Sequence, residues 1–174
     1  KLLTQKSNNR FIFVGSLTNR KNVLNLVDTF INFKFSRRLE LYIFGDGPLR
    51  ERLMEAIKVK GFNNIKYMGY ESDINKIYNH GDYFILPSHA EGVSRASMEA
   101  LYYGLPIIID ESCKDNCNLI NKSNGVILKN GDIALAVSRI LKIKPSNKSL
   151  LHSNHSANLA YRLFNKIFTE SDKF

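Results

Sequence analysis

Cysteine and proline are scarce in this 174-residue chain, with 2 Cys and 4 Pro, and Gly numbers only 10. Those counts exclude a disulfide-stapled scaffold, a collagen repeat and a proline-rich disordered tail. Cys113 and Cys117 lie four apart, which makes neither a CxxC pair nor a disulfide framework and points to a reducing compartment. Long apolar runs are missing too. A membrane span needs roughly 18–20 residues, and the longest run, Leu105–Ile109, is strand-sized. The polar stretch Lys1–Arg10 does not read as a signal peptide. With no initiating Met, the chain is expected to be part of a longer protein.

Acidic residues are in deficit: 16 Asp and Glu against 25 Lys and Arg, for a net charge of +9. A basic surface suits nucleic acid, anionic lipid headgroups or phosphorylated small molecules, and charge alone does not choose among them. The cations fall in short pairs such as Arg20-Lys21 and Arg37-Arg38 and form no dense tract. No RNP-type aromatic run or zinc-finger spacing is present, so nucleic acid is not the expected partner. What remains is a chain that is 44% hydrophobic, ample for one core at roughly 150 residues per domain.

The apolar residues fall into a regular alternation. Short β-rich runs at Arg10–Val14, Leu39–Phe44, Ile65–Met68, Tyr83–Leu86, Pro106–Ile109 and Gly125–Leu128 predict six strands. Between them, helical spacing at Val23, Leu24, Val27, Phe30 and Ile31 predicts a helix. Others are expected from Pro48 through Ile57, around Ile74–Tyr78, over Arg95–Tyr103 and over Ile133–Ile143, with a last one near Ala157–Ile167. Strands that are apolar almost throughout fit a parallel sheet covered on both faces. The fold class is therefore α/β, a Rossmann-like doubly wound parallel sheet of about six strands. Residues 1–145 are expected to form one Rossmann-like domain, and 146–174 a connector and a C-terminal helix that packs on the same domain or toward a preceding one.

In such sheets ligands sit beyond the carboxyl ends of the strands, so those loops carry the candidate site. Gly15-Ser16 followed by Arg20-Lys21 ahead of a helix makes an anion site; the same residues also make an ordinary βα turn with a solvated cation pair. Gly45-Asp46-Gly47-Pro48 allows close backbone approach, but Arg50 stands where a GxGxxG fingerprint needs its third glycine. That weakens a nicotinamide dehydrogenase reading and favours a tight turn. The segment from Leu86 to Pro106 says most. Ser94 is a good N-cap and Gly104 a good C′ residue. Glu91 then precedes the helix and Glu99 lies in its second turn. Helical side chains lean toward the N-terminus, so both carboxylates reach one pocket with the amides of Gly92–Ala96. A nucleotide-sugar fits that mix: its diphosphate suits the amides and cations, its ribose diol one carboxylate, and its sugar hydroxyls the other. A solvated loop charge and a solvated helix charge would read the same way. A paired-carboxylate glycosidase also uses two acids, but has little need of a phosphate cradle.

The order Glu91-x7-Glu99, Ala100, Gly104, Pro106 resembles the signature of the family-4 retaining glycosyltransferases, the glycosyl transferases group 1. Phe13-Val14-Gly15 with Lys21-Asn22, Ile43–Pro48, Tyr67–Tyr70, Ala90–Arg95 and Asn124-Gly125 resemble the family's other motifs, in order, across Phe11–Leu141. The Ala90–Arg95 stretch is close to a subgroup that builds surface polysaccharides. The resemblance implies the C-terminal, donor-binding half of a GT-B pair, with the acceptor held mainly by an N-terminal domain outside this chain. It implies no cofactor and no metal, and a nucleotide-sugar donor, a UDP-sugar in the first instance. It further implies a glycan or lipid-linked acceptor and a cytoplasmic location, with peripheral contact at an anionic membrane face. By the same resemblance Lys21 and Glu91 serve the reaction: Lys21 binds the diphosphate and Glu91 the transferred sugar. The amides near Gly92, Val93 and Ser94 would face sugar and phosphate, Glu99 would bind the ribose, and the loop at Met68 and Tyr70 would edge the base; Gly15, Ser16, Arg20 and Gly45 are counted with the donor-binding residues. Two positions depart from the pattern: Ser16 stands where the family has Arg, with Arg20 the candidate replacement, and Asn118 stands where it has Glu. His80, His89, His152 and His155 show no metal-ligand spacing. A non-catalytic nucleotide-binding module is the alternative reading.

Overall fold

The computed structural model describes residues 10–35, 38–59 and 63–145. The expected helix near Ala157–Ile167 and the connector before it lie outside them. Six strands appear where the apolar runs place them: β1 (Arg10–Val14), β2 (Glu40–Phe44), β3 (Ile65–Gly69), β4 (Tyr83–Leu86), β5 (Ile107–Asp110) and β6 (Gly125–Leu128). They form one sheet in the order β3-β2-β1-β4-β5-β6, every pair parallel. Strands buried on both faces must be apolar at consecutive positions. β4 and β5 are buried at every residue, and Phe11, Ile12 and Phe13 at the centre of β1 are inaccessible. Each such side chain contributes about 1.5–3 kcal/mol on leaving water.

The helices are α1 (Val23–Asn32), α2 (Arg50–Val59), α3 (Ile74–His80), α4 (Arg95–Tyr102), α5 (Lys114–Cys117) and α6 (Ile133–Ile140). α1 packs on α2 and α6; α3 lies on β1, α4 on β4 and β5, and α5 on β5. Right-handed crossovers put the two groups on opposite faces of the sheet.

Several boundaries shift by a few residues from the sequence expectation, and two of the shifts have a visible cause. Pro48 was expected in the first turn of a helix, but α2 begins at Arg50. The backbone there is engaged elsewhere: the Leu49 amide donates to the Leu17 carbonyl at 3.0 Å. α6 stops at Ile140, short of Ile143, as suits a chain nearing Pro145, whose ring disfavours helical backbone just before it. α5 was not expected at all.

The strand order reverses between β1 and β4, where successive crossovers diverge and leave a crevice at the carboxyl ends. At the opposite ends these strands are clamped. Asp82 takes Arg10 in a two-pronged ion pair, Nη2 to Oδ1 at 2.8 Å and Nε to Oδ2 at 3.0 Å. The pairing of β1 with β4 runs on from that clamp, Phe11 opposite Tyr83 and Ile12 opposite Phe84.

Candidate functional site

The floor of the crevice is built by loops stitched through their backbones. After β1 the Gly15 amide donates to the Phe44 carbonyl at 3.0 Å, and the Leu17 amide to the Asp46 carbonyl at 2.9 Å. The next loop completes the seam, with the Gly45 amide donating to the Gly69 carbonyl at 2.8 Å. Such an approach excludes side chains. Gly45 sits at φ +133°, and a Cβ there would fall 1.9 Å from the Gly15 carbonyl oxygen. The Gly45–Pro48 turn thus serves loop packing first, and only Gly45 and Asp46 of it border the crevice.

Lys21 is aimed by a short detour. A single 3-10 turn, Asn19–Lys21, ends at Asn22 in the left-handed region (φ 55°), which starts α1. The stem of Lys21 passes over Gly15, where a Cβ would lie 3.5 Å from Lys21 Cε. Its ammonium then crosses the switch point to Glu91, with Nζ to Oε1 at 2.7 Å. Both side chains are 11% exposed. Arg20 makes the same crossing from outside. Nη1 donates to the Ala90 carbonyl at 2.9 Å and lies 3.1 Å from Glu91 Oε1. The Arg20 carbonyl accepts from the His89 amide at 3.0 Å. Two cations from the β1 loop therefore meet one carboxylate from the β4 loop.

The acidic loop is held from behind by Asn116, a fully buried side chain on α5. Its Oδ1 accepts from the Ser94 amide at 2.7 Å, and its Nδ2 donates to the Gly92 carbonyl. Ser94 caps α4, with Oγ accepting from the Ser97 amide at 3.3 Å. The helix's first amides, which have no intrahelical partner, open into the crevice beside Arg95 and Ala96. One turn on, Glu99 Oε2 accepts from the Tyr78 hydroxyl at 2.8 Å. Burial, then the neighbouring Glu99 charge, pushes the Tyr78 hydroxyl far above its ordinary range, so it remains a neutral donor. Glu99 Oε1 lies 3.5 Å from Arg95 Nε across one exposed turn.

The result is a crevice of about 520 Å³ whose wall holds Gly15, Ser16, Lys21, Gly45, Tyr70, Glu91, Val93, Ser94 and Glu99. Three of the expected residues are not on that wall. Arg20 reaches in from the rim through Glu91. Gly92 turns its carbonyl to Asn116. Met68 lines a neighbouring hollow of about 600 Å³, with Tyr70 and Phe44 between the two. Sequence reasoning missed Asn116 and Tyr78. Asn116 sits in a polar stretch with no periodicity to mark burial, and Tyr78 shares the helical spacing of Ile74 and Ile77 and so reads as core. Burial raises both thiols, Cys113 and Cys117, above their ordinary value, which disfavours the thiolate either would need as a nucleophile. Among the described residues no three His, Cys, Asp or Glu cluster as metal ligands, and no helix is long and apolar enough to cross a membrane.

Comparison with known proteins places the chain and its fold. The family described as Glycosyl transferases group 1 matches residues 8–143. An Escherichia coli UDP-Gal:alpha-D-GlcNAc-diphosphoundecaprenol alpha-1,3-galactosyltransferase is 28% identical over 166 residues, covering 90% of this chain and 42% of its own. The capsular polysaccharide biosynthesis glycosyltransferase CapH of Staphylococcus aureus is 28% identical over 117 residues, covering 64% of this chain and 33% of its own. Among solved structures, Anabaena HepE in complex with UDP-glucose superposes with a TM-score of 0.72 at 18% identity, over 95% of this chain and 48% of that one. The lipopolysaccharide outer core galactosyltransferase WaaB superposes at 0.71 and 19% identity, over 96% and 51%. The chain thus spans about half the length, or less, of these proteins.

Proposed function

The chain belongs to the glycosyl transferases group 1, and from that premise we propose that it is the donor-binding half of a retaining, family-4 glycosyltransferase. In this reading it takes a sugar from a nucleotide-sugar, in the first instance a UDP-sugar. The acceptor is a glycan or lipid-linked glycan of a surface polysaccharide: lipopolysaccharide, capsule or exopolysaccharide. The partner domain of a GT-B pair supplies most of the acceptor site, and this half alone does not turn over. The observation that carries the reading is the convergence of Glu91, Glu99, Lys21 and Gly15 on one crevice at the switch point. The names of two relatives, which place them in undecaprenol-linked and capsular synthesis, support the substrate class.

Each group then has a task. The cis-diol of the ribose presents two hydroxyl donors to Glu99, which Tyr78 holds from the far side. The diphosphate lies between Lys21, Arg20 and the first amides of α4, where positive charge and free N–H groups coincide. Glu91, at the head of the same loop, takes hydroxyls of the sugar. As the glycosidic bond lengthens, negative charge grows on the departing phosphate, and prearranged cations and amides favour that state most. No metal is required, since Lys21 and Arg20 supply the positive charge. Tyr70, exposed between the two hollows, borders the base. A lipid-linked acceptor places the enzyme at the cytoplasmic face of a membrane, and the +9 charge favours an anionic surface.

A thermal-shift panel of UDP-, GDP-, ADP- and dTDP-sugars tests this, because a ligand of the folded state must raise its melting temperature. One nucleotide series should stabilise the chain clearly above the rest. No shift with any of them, at concentrations to several millimolar, refutes the donor assignment.

A further inference from the structure

Glu91 is committed twice. The proposed function asks it to hold the sugar, yet its carboxylate neutralises the cations that the diphosphate needs. Lys21 Nζ and Arg20 Nη1 both approach the same oxygen, Oε1, at 2.7 and 3.1 Å. Neither contact has the alignment of a hydrogen bond, since Oε1 is buried without one. The arrangement is two charges pulling on one atom rather than an interlocked pair. The backbone on either side is pinned: Arg20 holds the Ala90 carbonyl, and Asn116 holds the Gly92 carbonyl and the Ser94 amide. Glu91 can therefore leave the cations by turning its side chain, with the loop in place.

We propose that Glu91 is the resident counter-anion of the phosphate site, and that a donor's diphosphate displaces it from Lys21 and Arg20 and so frees it for the sugar. The inference rests on the donor-binding reading above and adds a coupling within that site. A diphosphate brings at least two negative charges to the pair, and a carboxylate left within a few ångströms is repelled by them. The displaced carboxylate needs new donors, and sugar hydroxyls beside the phosphate provide them. A nucleotide-sugar then compensates both ends of the exchange. A bare diphosphate compensates only one and leaves Glu91 buried and unpaired. Glu91 thereby biases the site against free nucleoside diphosphate, the leaving product, and in favour of the intact donor.

Titration calorimetry on this chain with inorganic pyrophosphate, UDP and UDP-glucose tests the exchange. Glu91→Gln removes the counter-anion, so pyrophosphate and UDP should bind about tenfold more tightly, equivalent to roughly 1.4 kcal/mol. The advantage of UDP-glucose over UDP should shrink in the same variant. Glu99→Gln removes equal charge from the same crevice without touching either cation, and should leave pyrophosphate affinity within about twofold. Should Glu91→Gln melt below the assay temperature, Glu91→Asp, which withdraws the carboxylate by one methylene, should shift pyrophosphate binding in the same direction. Unchanged or weaker pyrophosphate and UDP binding in these variants, with wild-type UDP-glucose binding intact, overturns the counter-anion and leaves the function standing. A gain for pyrophosphate with no nucleotide-sugar bound by any form keeps the counter-anion and removes the function. No binding of any probe to any form overturns both.

Discussion

Truncating Glu99 to alanine separates binding from stability. Two contacts are lost on the protein side. The ion pair with Arg95, whose side chain is 68% exposed, is a surface pair one helical turn apart, worth a few tenths of a kcal/mol at most. The hydrogen bond from Tyr78 is buried, and leaving its hydroxyl without a partner would cost about 1–3 kcal/mol. That hydroxyl also lies 3.1 Å from the Ala96 carbonyl, so it keeps an acceptor when the carboxylate goes. Alanine is moreover the better helix former. The folded state should lose less than about 1 kcal/mol, a drop of roughly 2–4 °C for a chain of this size. Binding should respond differently. A carboxylate accepting from both hydroxyls of a ribose makes charge-assisted bonds, and their loss costs about 1.5–3 kcal/mol, or roughly 10- to 100-fold in UDP affinity. Calorimetry with UDP and with inorganic pyrophosphate reads the difference. UDP should weaken and pyrophosphate, which has no ribose, should not. UDP affinity within twofold of wild type in a folded variant refutes the ribose role, and equal weakening of both probes assigns Glu99 to the phosphates.

Three further outcomes follow from the same contacts. Gly45→Ala forces a Cβ to within 1.9 Å of the Gly15 carbonyl at a φ of +133°, so thermal or urea unfolding should show a loss of more than about 2 kcal/mol. Asn116→Ala strands the Ser94 amide and the Gly92 carbonyl. It should cost about 2–4 kcal/mol of stability and weaken UDP-glucose; wild-type affinity in that variant would show that the acidic loop holds its shape unaided. Tyr78 has its proton affinity raised by burial above the ordinary value of 10.0. The native state therefore keeps a proton that the unfolded chain releases, and stability falls as pH climbs past about 10. Tyr78→Phe should flatten that fall in melting temperature, and an identical alkaline profile would show that Tyr78 does not govern it.

The scaffold was legible because it depends on local patterns. Six apolar runs set six strands, and Gly15, Gly69 and Gly104 mark the ends of elements that the structure ends at or near the same places. Ser94 reads as a cap from its place before Arg95, and it is one. The convergence of Glu91 and Glu99 was legible for the same reason, since one loop and one helical turn separate them. α5 was not. Its four residues, Lys114–Cys117, carry no amphipathic period, and they are placed by docking on β5 rather than by propensity. The buried state of Lys21 was also out of reach. Next to Arg20 in a polar stretch it reads as solvated, and only the left-handed turn at Asn22 and the flat space over Gly15 carry it inward.

That difference between scaffold and site has a physical source. A strand's burial follows from its own side chains, whereas the polar contacts that join one loop of the crevice to another link residues far apart in the chain: Lys21 to Glu91, Asn116 to Gly92, Tyr78 to Glu99. Each contact depends on the sheet having already brought two loops together, so no local pattern encodes it. The same dependence explains why glycine is needed at 45, where two loop backbones meet with no room for a side chain. It also limits what a truncation at Lys21 can reveal. Taking one partner from a buried ion pair leaves the other charge uncompensated, and here Arg20, with its side chain 57% exposed, would stand as the sole cation on Glu91. A fall in turnover in a Lys21 variant would therefore mix a lost phosphate contact with a displaced sugar contact. A variant at Glu99 avoids this mixture, because it removes a carboxylate that pairs with Arg95 and leaves the Lys21, Arg20 and Glu91 cluster and the pinned loop in place.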